Sequence, residues 1–120
     1  MRLASFVLLC ILSLGIAGYA LVVYGFLPLG AMLHPDMRAT YEVHRAAIYT
    51  HVFAASVALI LGPFQFSVRL RSMRPRVHRW MGRFYLAAGV LLGGLTGLFM
   101  AFHAFGGLVP RVGFACLAVA

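Results

Sequence analysis

The sequence predicts an all-α integral membrane helical bundle: three transmembrane helices followed by the start of a truncated fourth. Three observations predict it. Of the 120 residues, 63% are hydrophobic and only 10% charged, where ordinary soluble domains carry about a quarter charged residues. Mean hydropathy is +0.98. Finally, three long uncharged runs, Leu3 to Pro35, Ala46 to Val68 and Phe84 to Pro110, each exceed the roughly 20 residues that cross a ~30 Å hydrocarbon core. The expected helices cover about 4–27, 41–68 and 78–105, with an incomplete apolar segment at 112–120, all within one transmembrane domain spanning 1–120.

The first run is too long for a signal peptide, whose apolar region has ~7–15 residues, and "LVVYGFLPLG" offers no small-x-small cleavage site. It reads as an uncleaved helix stopped by Gly25, Pro28 and Gly30. The tail "GFACLAVA" is eight residues long, and a free carboxylate is costly inside a bilayer. The expectation is a chain cut off within a fourth helix, with a tail lying at the outer surface as the alternative.

Between the second and third runs, "RLRSMRPRVHRWMGR" holds Arg69, Arg71, Arg74, Arg76, Arg79 and Arg83, six of the ten arginines. A charge at mid-bilayer costs about 2.5–3.5 kcal/mol on insertion scales, so this segment must lie outside the core. With Arg2 it places seven arginines on one side, against Arg38, Arg45 and Arg111 on the other. The positive-inside rule makes the hairpin and the amino terminus cytoplasmic. Trp80 suits the headgroup level, and the hairpin suits anionic lipid headgroups, at about 1 kcal/mol per arginine near the surface. Nucleic acid is not an expected partner, because the sequence leaves no water-facing basic surface to read it.

Polar residues within the apolar runs carry the functional information, since intramembrane polar groups face a bundle interior or cavity by default. Helix two is expected to begin near Thr40 as N-cap, with Glu42 in its first turn. His44 and His51 then share a face with Ala55, Ala58, Gly62 and Gln65. Pro63 removes an N–H and predicts a kink, with Gln65 placed to satisfy freed backbone groups. On helix three Gly82, Gly89, Gly93 and Gly97 form a small-residue side suited to helix packing or oligomerisation. His78 and His103 project onto the same side.

Among the five histidines, His51 and His103 fall at similar outer depth on neighbouring antiparallel helices. Two such imidazoles suit the axial positions of a haem b iron, with the glycines giving the macrocycle room. Histidine pairs also serve metal ions or proton relays. Cys10 and Cys116 lack metal-type spacing, and with Asp36 and Glu42 the only acids, no paired-carboxylate or nucleophile–base arrangement is available. No catalytic residue and no metal site is assigned.

The stretches "THVFAASVALILGPFQF", "RPRVHRWMGRFYLAAGV" and "GLFMAFHAFGG" resemble an uncharacterised bacterial family of multi-pass predicted membrane proteins, domain of unknown function 2306. The matching positions are His51, Gly62, Pro63, Gln65, Arg74, His78, Arg79, Gly82, Arg83, Gly106 and Gly107. This resemblance implies a helical fold in a bacterial inner membrane and further helices beyond this chain; it implies no activity. A weaker similarity links "HRWMGR" to transmembrane b-type cytochromes and would make His78 a second haem ligand whose partner is missing. Three functions follow: a structural or assembly subunit as the default, an electron-transfer protein using His51, His103 and His78, or a small-molecule transporter or binding protein using the polar stripe.

Overall fold

The computed structural model describes residues 3–119, which are helical apart from short turns. Arg2, counted above on the cytoplasmic side, lies outside the described residues, as does Ala120. The elements are α1 (Leu3–Phe26), α2 (Pro35–Val43), α3 (Arg45–Gln65), α4 (Val68–Met73), α5 (Pro75–Phe102) and α6 (Leu108–Val119). Three of them, α1, α3 and α5, are long and apolar enough to cross a membrane.

The α1–α3 connection departs from the expected boundaries. A turn at Gly30, which adopts φ 82°, ends the first apolar run. His34 then caps α2, its Nδ1 accepting from the Asp36 N–H at 3.4 Å, and Pro35 occupies the first turn. Proline is pre-organised for that position, so a separate helix starts five residues before the expected Thr40 cap. It stops at His44 (φ −107°, ψ 33°), where the chain turns into α3.

At the other end α3 terminates at Gln65, two residues after Pro63 and short of the expected 68. Pro63 donates no hydrogen bond, and the next N–H groups close a turn onto Pro63 and Phe64. Ser67 caps α4, accepting from the Leu70 N–H at 3.2 Å. The arginine hairpin is therefore largely helical. With Pro75 in its first turn, α5 starts three residues before the expected 78.

Helix α3 is the central element, with α1 on one side and α5 on another. Towards α1, Ile48 and Val52 join Leu29 in the core, with Ala20, Tyr24, Tyr41, Tyr49 and Met100 packed around them. Ser56 is buried there, its hydroxyl donating to the Val52 carbonyl at 2.8 Å, so the dry contact holds no orphan donor. Most other large side chains, including Leu12, Ile16, Leu86, Leu95 and Phe102, are exposed. Such a surface suits lipid, where apolar contact with acyl chains costs nothing and small residues do the packing.

Within α5 the turns from Tyr85 to Leu92 are π-helical, with regular α-helix on both sides. π turns are rare and usually short. Gly89, where an added Cβ would lie 3.0 Å from the Ala58 Cα, falls inside this stretch. Beyond α5, Gly106 and Gly107 adopt φ 100° and 86°, values that favour glycine. They fold α6 back along the C-terminal half of α5, so that the Ala118 carbonyl lies 3.7 Å from where a Cβ on Gly94 would be.

Candidate functional site

The site rests on the antiparallel α3–α5 pair. A Cβ added to Gly82 would lie 3.0 Å from Gln65 Oε1, one on Gly89 2.7 Å from the Ala58 Cβ, one on Gly93 3.5 Å from the Ala54 Cβ, and one on Gly97 2.8 Å from His51 Cε1. Gly62 faces the Tyr85 ring in the same way, at 3.6 Å. These four α5 glycines thus face α3, whereas Gly94 faces α6. The space that the sequence offered to a macrocycle beside Gly89 and Gly93 is filled by Ala54, Ala55 and Ala58.

Towards the C-terminal end of α5 the place of an alanine is taken by the His51 ring, which lies over Gly97. Its Nδ1 is 2.8 Å from the Gly93 carbonyl oxygen. A carbonyl only accepts, so Nδ1 carries the proton, and in the neutral ring Nε2 keeps its lone pair. His103 repeats the arrangement, with Nδ1 2.9 Å from the Phe99 carbonyl one turn back. Among the described residues, no protein group bonds to either Nε2.

Both imidazoles line one cavity of about 290 Å³. Tyr41 of α2, Ile48 of α3, Met100 and Ala101 of α5, Phe105 of the following turn, and Phe114 and Leu117 of α6 complete most of its wall. Burial raises the Tyr41 phenol above its ordinary value of 10.0, so its hydroxyl keeps its proton. His44 stands beside His103 with ring centroids 4.2 Å apart, and His34 stacks on Phe105 at 6.3 Å. Four of the five histidines therefore gather at this end.

His78 does not join them. It lies near the start of α5, at the opposite end of the bundle, where its Nδ1 and the Gln65 Nε2 are buried without partners. Gly62, Pro63 and Gln65 belong to that end too. All six hairpin arginines are exposed, with Arg83 held 5.3 Å over the Trp80 ring. Among the described residues no group of three histidine, cysteine or acidic side chains could hold a metal ion.

Sequence reasoning placed His51 and His103 at one depth but missed the wall that encloses them. Tyr41 was hidden by the misplaced start of helix two, and Phe114 and Leu117 by reading the tail only as an incomplete span. The anchor on His103 was available, since helical spacing puts its ring within reach of residue 99.

A helical membrane bundle with a histidine-lined cavity at one end is the class these features define. Residues 48–120 match the family described as predicted membrane protein DUF2306, more than half of the chain, and the chain belongs to that family. The match takes in α3 from Ile48 onwards, α4, α5 and α6, and with them His51 and His103, while α1 and α2 precede it. No curated protein and no solved structure matches the chain.

Proposed function

We propose that this protein binds a small, mostly apolar molecule that donates a hydrogen bond, in the cavity at the outer end of the bundle. The observation that carries this reading is the pair of imidazoles lining one cavity, each anchored through Nδ1 to a backbone carbonyl and with no protein partner on Nε2 among the described residues. An anchored ring spends no rotamer freedom on binding, and a few placed polar groups in an apolar wall suit small-molecule recognition. At about 290 Å³ the space lies at the lower end of the range for ligand pockets. A phenol-sized compound fits that volume. The same site serves a binding protein or one station of a transporter.

The positive-inside bias supports placing this end at the periplasmic face of a bacterial inner membrane, with the amino terminus cytoplasmic. A second reading takes its support from the same anchors, because a backbone acceptor on Nδ1 is the usual outer partner of a metal-ligating histidine. Haem b held by His51 and His103 requires α6 to move aside, since the cavity is smaller than the macrocycle.

The test is ¹⁹F NMR of 4-fluorophenol with the purified protein in detergent. Saturable broadening is expected, reduced at least about fivefold in His51→Ala and His103→Ala and lost when Ala118→Phe fills the cavity. Broadening that persists in all three variants contradicts the reading. A Soret band that shifts on reduction, and disappears in His51→Ala, would replace it with the haem reading; absence of both signals leaves the structural or assembly role.

A further inference from the structure

At the opposite end of the bundle, α3 and α5 enclose an apolar groove of about 400 Å³ lined by Val57, Ile60, Leu61, Trp80, Met81 and Phe84. It runs into the membrane, because Phe84 lies one turn deeper than Trp80 on α5, and Val57 one turn deeper than Leu61 on α3. Its mouth is cationic. Arg76, Trp80 and Arg83 share one face of α5 by helical spacing, and the Arg83 guanidinium is drawn back over the Trp80 ring. Trp80 itself is 69% exposed. The chain's only acids, Asp36 and Glu42, both sit on α2 at the far end, so no carboxylate neutralises this rim.

We infer that this groove and its arginine rim form a binding site for one anionic phospholipid of the leaflet at the arginine end. The phosphate lies between Arg76 and Arg83, and one acyl chain fills the groove against Trp80 and Phe84. Arginine suits the phosphate because its guanidinium presents paired donors to two oxygens. The charge complementarity selects the headgroup, and the adjoining groove selects a lipid over a soluble phosphate. This site is distinct from simple attraction of the whole hairpin to a charged surface, which every arginine would share alike.

Trp80 is the single tryptophan, so its fluorescence reports this site alone. The full chain is reconstituted in vesicles containing phosphatidylglycerol or phosphatidylcholine, each with brominated acyl chains. Phosphatidylglycerol is expected to half-quench Trp80 at about a tenfold lower mole fraction. Arg76→Gln with Arg83→Gln should cut that selectivity at least about fivefold. The triple variant Arg69→Gln, Arg71→Gln, Arg74→Gln should keep most of it, and Val57→Phe should weaken quenching by filling the groove. Equal quenching by the two lipids overturns the site, and so does an equal loss in the triple variant, which would reveal diffuse attraction instead.

Discussion

The two ends of the α3–α5 pair treat their polar side chains in opposite ways. At the histidine end each imidazole is tied to a backbone carbonyl, His51 to Gly93 at 2.8 Å and His103 to Phe99 at 2.9 Å. At the arginine end the Gln65 Nε2 and His78 Nδ1 are buried without a partner, an arrangement that costs about 1–3 kcal/mol per group. The same helix pair therefore ends in a pre-organised site on one side and a tolerated polar defect on the other. What separates them is helix geometry rather than composition. Gly97 lets the His51 ring approach closely enough to reach the Gly93 carbonyl of α5, whereas Gln65 is the last residue of α3 and its Oε1 lies against Gly82.

The largest effect should come from breaking the pair between its ends. A Cβ at Gly89 would come within 3.0 Å of the Ala58 Cα, and backbone cannot give way there as a side chain can. Gly89→Leu is expected to cost more than about 3 kcal/mol, at or above the usual range for overpacking, and to abolish a monodisperse folded species in detergent. Gly15→Leu on α1, where nothing lies within 4 Å, should leave it intact. Equal behaviour of the two variants would mean that α3 and α5 are not packed as described.

A smaller effect sharpens the contrast between the ends. Gln65→Met keeps the volume and removes the unpartnered amide, so stability should stay constant or rise by about 1 kcal/mol in denaturant titrations. A loss above about 2 kcal/mol would show instead that the amide is bonded.

How much of this was legible in the sequence depends on the length scale of the signal. The spans were readable because twenty-residue runs without charge have one physical solution in lipid. The facing stripes were readable as well: Ala58 and Gly62 fall on the His51 face by 3.6-residue spacing, and Gly89, Gly93 and Gly97 recur every four residues. The short helices were harder. Pro35 after His34, and Ser67 before "VRL", are start signals, but each lies beside an apolar run that seemed to account for it. The π turns of Tyr85–Leu92 leave no trace in an evenly apolar segment, which has no polar face to show a change of period. The cavity was least legible, because its wall comes from α2, α3, α5 and α6 together, and the sequence shows which residues can pack but not which elements converge.

The central claim is that His51 and His103 each donate Nδ1–H to a backbone carbonyl and leave Nε2 without a protein partner. Ring ¹⁵N NMR of histidine-labelled protein tests it most directly, with His51→Ala and His103→Ala assigning the signals. The account predicts a protonated-type Nδ1 and an unprotonated Nε2 for both residues at a pH where the rings are neutral. A proton on Nε2 of either ring would break its backbone anchor, remove its acceptor from the cavity and contradict the account.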